Sequence, residues 1–172
     1  MKRYVKATVT NILDEDFRVR FDYATSPRTA STVLEVLSND PEWTIRRSVA
    51  MNSNTSLDTL IKLASDDHFY VRQAVAWNGC TPIDVLQALA KDDYDEVKYG
   101  VTQNPNIPVS LLISLSNDPL WRARYGVALN PSTPVNILEH LCWDTDGNVQ
   151  AAACKTYYDV TGKPFEYFKD NG

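Results

Sequence analysis

Histidine is nearly missing from this 172-residue chain: His68 and His140 are the only two, and neither stands in an H-E-x-x-H or other metal-ligating spacing. There is no G-x-S-x-G elbow. Thr161-Gly162-Lys163-Pro164 is not a phosphate loop, because the leading glycine is absent and proline removes a needed amide. Asp144-Thr145-Asp146-Gly147-Asn148 has a passing likeness to a calcium loop, but it lacks the third ligand before the glycine and the distant glutamate. The chain is therefore expected to be non-enzymatic, with no catalytic residue, no metal and no cofactor.

Other scarcities narrow the class further. Three cysteines, Cys80, Cys142 and Cys154, form no C-x-x-C pair and no even framework; Cys142 and Cys154 read as small core residues, reduced in a cytoplasmic setting. No apolar run approaches the roughly 18–20 residues that span a bilayer, so no membrane partner is expected. The first residues, MKRYVKATVTNILDED, are basic with no apolar core behind them, and do not read as a signal peptide. Basic surplus is also lacking: the net charge of −5 argues against general nucleic-acid affinity.

What is present is a period. Asn52, Asn78, Asn104 and Asn130 are each 26 residues apart, and the same step superimposes Arg46, Arg72, Lys98 and Arg124, then Asp40, Asp66, Asp92, Asp118 and Asp144. A fixed period of this size belongs to a solenoid, whose units stack because none can bury its apolar face alone. In residues 66–91, Val71, Ala74 and Val75 form the apolar stripe of a first helix, ended by Asn78-Gly79, and Leu86, Leu89 and Ala90 form that of a second. Asp66 reads as the N-cap of the first helix, and Pro41 and Pro119, after the equivalent aspartates, suit a first helical position. Thr81-Pro82 with Asp84 reads as a second cap. Each helix is expected to span about ten residues.

Read down the stack, Ile45, Val71, Val97, Ala123 and Val149 form one core ladder, and Val49, Val75, Val101, Val127 and Ala153 another. Ser48, Ala74, Gly100, Gly126 and Ala152 are all small. Glycine inside a helix costs about 1 kcal/mol against alanine, so Gly100 and Gly126 are expected where a neighbouring backbone comes close. The expected architecture is an all-α solenoid of about five two-helix repeats over 17–158, with a terminal helix near 148–158. Residues 1–16 form a non-repeat lead-in, with a short strand or extended segment at Tyr4–Val9. Residues 159–172 form an aromatic cap or tail around Phe165, Tyr167 and Phe168, beside Tyr157 and Tyr158.

The pattern V-R-x-A-V-A-x-N-x-x-T-P-x-x-x-L-x-x-L-A-x-D at Val71–Asp92 resembles the bacterial leucine-rich repeat variant, a relative of HEAT and armadillo arrays. It recurs from Ile45-Arg46 to Asp66 and from Ala123-Arg124 to Asp144, and the likeness covers about 19–155. The family's usual repeat is about 24 residues, two fewer than here. The resemblance implies a right-handed superhelix that works mostly as a binding surface, and no catalytic residue. An iron–sulfur centre described in that family needs an N-terminal cysteine cluster, and this chain has no cysteine before Cys80.

Two surfaces compete for function. The column Arg20, Arg46, Arg72, Lys98, Arg124 reads either as a phosphate track, as in HEAT-like DNA glycosylases, or as a ladder in which each cation pairs with the aspartate six residues before it. The asparagine column reads as a ladder satisfying turn amides. Half of the 22 carboxylates gather where one unit meets the next, among them Asp40, Glu42, Asp66, Asp67, Asp92, Asp93, Asp118 and Asp144, which makes a negative rim. First helices also carry more aromatic residues than a core needs. Trp43, Phe69 and Trp121 are assigned to packing between units. Trp77, Tyr99, Arg122 and Tyr125, with Trp143 from a more variable second-helix stripe, are candidates for partner binding. The leading expectation is a protein-binding adaptor for a basic or amphipathic partner; a nucleic-acid-binding or base-excision protein and a homodimer joined through the aromatic face are the alternatives.

Overall fold

The computed structural model describes residues 9–166. Among them the secondary structure is entirely helical, with eleven α-helices and no strand. Helix α1 (Phe17–Thr25) pairs with α2 (Ser31–Leu37), and α3 (Trp43–Met51) with α4 (Leu57–Leu63). The series continues with α5 (Phe69–Trp77) and α6 (Ile83–Leu89), α7 (Asp95–Thr102) and α8 (Val109–Leu115), and α9 (Trp121–Leu129) and α10 (Val135–Leu141). A single longer helix, α11 (Gly147–Thr161), closes the array. Five helix pairs and a terminal helix thus make the helical-repeat solenoid that the period predicts. The helices are shorter than the expected ten residues: nine in most first helices, eight in α7 and seven in every second helix.

The odd helices pack directly on one another from α1 to α11, whereas each even helix from α2 to α10 lies against the odd helices on either side of it in sequence. Between α4 and α6 this leaves a groove of about 330 Å³ floored by Ile61, Ala64, Val85, Ala88 and Leu89. The predicted ladders form the core: Ile45, Val71, Val97, Ala123 and Val149 are buried, as are Leu60, Leu86, Leu112 and Leu138 of the even helices. Each such side chain contributes about 1.5–3 kcal/mol by leaving water.

Helix starts differ from the sequence expectation. The repeat aspartates stand two residues ahead of the N-cap position, which Glu42, His68, Tyr94, Leu120 and Asp146 occupy. Their Oδ1 atoms accept from the backbone N–H of those same residues, so the carboxylate shapes the turn that leads into the helix rather than capping it. Pro41 and Pro119 consequently lie in that turn. Thr81 does not cap α6 either. Its hydroxyl donates 2.6 Å to the Val75 carbonyl at the end of α5, as Thr29, Thr55 and Thr133 do to Tyr23, Val49 and Val127. The threonine column ties the turn back to the first helix, and Pro82, with φ preset, precedes α6.

A short segment outside the repeats packs at each end of the described array. Val9–Asp14 forms a 3₁₀ turn that buries Ile12 against α2. The expected strand at Tyr4–Val9 otherwise lies outside the described residues. At the other end α11 runs to Thr161 and stops at Gly162, whose φ of +70° suits glycine. Phe165 then turns back and meets Tyr157 and Trp143 edge-on, at 5.5 and 5.8 Å between ring centroids. Of the rings expected in a C-terminal cap or tail, Phe165 is the one placed here; Tyr167 and Phe168 lie outside the described residues.

Candidate protein-docking face

The basic column is engaged in the fold, with partners other than those expected. Each cation meets the aspartate twenty residues later, in the following unit, instead of the one six residues before. Arg20 pairs with Asp40, Arg46 with Asp66, Arg72 with Asp92, Lys98 with Asp118 and Arg124 with Asp144, at 2.6–2.7 Å. The earlier aspartate contributes its main chain: Arg46, Arg72 and Arg124 donate Nη1 to the carbonyls of Asp40, Asp66 and Asp118. A guanidinium carries donors enough for both, so one side chain joins two successive turns. Burial pushes Asp66 upward, but hydrogen bonds from Arg46 and the His68 N–H bring it below the usual carboxylate range. For Asp144 the Arg124 hydrogen bond dominates and lowers it.

The asparagine ladder is equally committed. Asn78 donates Nδ2 to the carbonyls of Ala50 and Asn52 in the preceding unit and accepts from the Cys80 N–H. Asn52 and Asn104 repeat all three bonds; Asn130 repeats the donation to Thr102 and the acceptance from Ser132. These side chains satisfy turn amides, as the spacing suggests, and also join unit to unit.

The odd-helix layer carries a row of rings. Trp43 stacks on His68 of the next unit at 4.1 Å and 2° between planes, and Phe69 stacks on Tyr94 at 4.7 Å and 1°. Tyr70 extends the first stack, and the Arg72 guanidinium lies 5.4 Å over Tyr94. Asp95 then stands where Trp43, Phe69 and Trp121 stand in their units. Its Oδ1 accepts from the Ala123 N–H near the start of α9, and burial raises its carboxyl. Beyond it, Tyr125 lies between Tyr99 and Trp121, at 6.4 and 6.0 Å. Phe17 and Phe21 stack at 5.9 Å on α1.

Tyr99, Arg122 and Tyr125 are brought together, each half-buried. Arg122 is fastened to Glu96 at 2.9 Å and lies over Trp121. Trp77 is half-buried at the far end of α5. Trp143 is 58% exposed but sits after α10, against Phe165, away from this group. The packing assignment holds for Trp43 and Phe69 and fails for Trp121, which is 39% exposed. Phe17 and Phe21, which the candidate set lacks, belong to the columns of Trp43 and Tyr125 read back to the first unit, whereas Tyr70 shares its column with Arg18, Thr44, Glu96 and Arg122 and carries no such signal. The exposed carboxylates Glu42, Asp67 and Asp93 immediately precede the rings of Trp43, His68 and Tyr94.

Among the described residues no group of three or more His, Cys, Asp or Glu could hold a metal ion, and no helix is long and apolar enough to cross a membrane. None of the three cysteines forms a disulfide, and burial drives the Cys142 thiol far upward, leaving it protonated. No protein-family model and no curated protein matches the chain.

Proposed function

We propose that this protein is a non-enzymatic cytoplasmic docking module whose odd-helix face binds a basic, amphipathic segment of another protein. The observation that carries this reading is the coincidence of exposed rings with exposed carboxylates. Phe17, Phe21, Tyr70 and Trp121 are 37–45% exposed along one layer of helices, and Glu42, Asp67 and Asp93 line the same edge. Rings supply apolar area and cation-attracting faces, and the acids steer positive charge toward them. Arg72 over Tyr94 and Arg122 over Trp121 display the same chemistry within the chain. The nucleic-acid alternative draws on the Arg/Lys column, and those cations, their side chains only 12–15% exposed, already have aspartate partners.

The test is a titration with a fluorescent amphipathic peptide of leucine and lysine, beside its leucine–glutamate counterpart and a scrambled lysine peptide. The basic amphipath is expected to bind, more weakly as salt rises, and Trp121→Ala with Tyr125→Ala to weaken it at least about tenfold, or 1.4 kcal/mol. Equal binding of the three peptides, or an unchanged affinity in a folded variant, removes the reading. A duplex oligonucleotide in the same assay checks the alternative.

A further inference from the structure

Two columns of the repeat change chemistry together in the last unit. Cys142 closes α10, where the earlier units hold Ser38, Ala64, Ala90 and Ser116. Cys154 lies in α11, in the column of Ala24, Ala50, Ala76, Thr102 and Ala128. The two positions meet. Helix α10 packs on α11, Cys142 is fully buried in the core, Cys154 packs against that core, and the two thiols are in hydrogen-bonding contact. Alanine, serine or threonine fills the same space in the earlier units, so packing alone does not call for two adjoining sulfurs.

We propose that Cys142 and Cys154 form a reversible disulfide when the chain meets glutathione disulfide, a lock that fastens α11 to α10 at the end of the array. The helices already hold the sulfurs side by side, so no loop has to be closed before the bond forms. The product carries neither charge nor donor, and the core accepts it without a polar partner. The enclosed residues 143–153 include Asp144, which Arg124 grips at 2.7 Å. The lock therefore acts on the same turn as the last rung of the ion-pair ladder. This inference stands independently of the docking face.

Exposure sets the order of events. Ala128, in the same column as Cys154, is fully buried, with α11 packed on its helix α9. No helix follows α11 among the described residues, and Cys154 is only half-buried. Cys154 Sγ, as thiolate, therefore attacks first, breaking the S–S bond of glutathione disulfide and releasing one glutathione thiolate. Burial holds Cys142 protonated, so it acts second. It gives up its proton, its Sγ bonds to Cys154 Sγ, and the remaining glutathione leaves as a thiolate. Together the protein thiols lose two electrons and two protons, and glutathione disulfide becomes two glutathione thiols.

The test is peptide mass spectrometry on the folded full chain carrying Cys80→Ser, which removes the exposed third thiol, after exposure to excess glutathione disulfide. No Lys or Arg lies between Arg124 and Lys155, so trypsin leaves both cysteines in one peptide, residues 125–155. That peptide is expected to lose two hydrogens, about 2 Da, to retain no glutathione and to recover its mass with dithiothreitol. The oxidised chain is expected to melt about 6–12 °C above the reduced one. Cys142→Ser is expected to leave glutathione trapped on Cys154, and Cys154→Ala to leave Cys142 unmodified. Each replacement is a residue that the same column carries in other units, and a melting curve checks that both variants fold. Two persisting thiols, glutathione retained while both cysteines are present, Cys142 modified as fast without Cys154, or an unchanged melting temperature on oxidation would each overturn the proposal.

Discussion

Arg46 and Asp66 meet across the boundary between two units through two parallel hydrogen bonds, Nε to Oδ2 at 2.6 Å and Nη2 to Oδ1 at 2.8 Å. Both side chains are nearly withdrawn from solvent, at 13 and 7% exposure. The same Arg46 also holds the Asp40 and Pro41 carbonyls and the Asp67 carboxylate. One guanidinium thus fixes the spacing of successive turns.

Replacing Arg46 by methionine should cost about 3 kcal/mol, because it leaves a largely buried carboxylate without its cation. For a chain of this size that is a fall in Tm of roughly 6–12 °C. The Arg46→Met/Asp66→Leu double variant should be more stable than the sum of the singles implies, measured as a double-mutant cycle by thermal unfolding.

Acid should loosen the array through Asp66 and Asp144. Both carboxyls lie lower in the folded chain than in the unfolded one. Their contribution is therefore complete above the unfolded value of about 3.9 and is lost as pH falls through the folded values. Asp144→Asn should flatten the loss of stability between about pH 4 and pH 2, read from urea midpoints across that range.

Asn78→Asp should damage the fold as much as Asn78→Ala, although aspartate has nearly the same shape. The carboxylate keeps the acceptor for Cys80 but loses the Nδ2 donor, and it would face the Ala50 and Asn52 carbonyls. A loss of about 2–4 kcal/mol is expected for either change, measured by chemical denaturation. An aspartate variant close to wild type would show that the bonds to the preceding unit contribute little.

Gly126→Ala should destabilise by about 1–3 kcal/mol through overlap with Thr102. Thr102→Ala in the same chain should recover most of that loss. The pair then becomes Ala and Ala, as already found at Ala50 with Ala74 and at Ala128 with Ala152. The added alanine removes the helix penalty of glycine, about 1 kcal/mol, so the double variant has room to exceed wild type in a melting experiment.

The sequence by itself determined the unit, the number of helix pairs and the identity of the core columns. A 26-residue period made of two apolar stripes has no other way to bury both. It also marked the asparagines as satisfiers of turn amides, since the bond from Asn78 to the Cys80 N–H is local. Only the tertiary structure decided which aspartate each cation holds. Residues six apart and residues twenty apart are both one side-chain length away once units stack, and periodicity specifies a face without saying which neighbour that face meets. The same holds for the aromatics. Trp43 and Phe69 are covered because the next unit offers His68 and Tyr94, whereas Trp121 is followed at that position by Asp146 and remains exposed. A ring's burial depends on what the adjoining unit places beside it, and that relationship exists only in the stacked array.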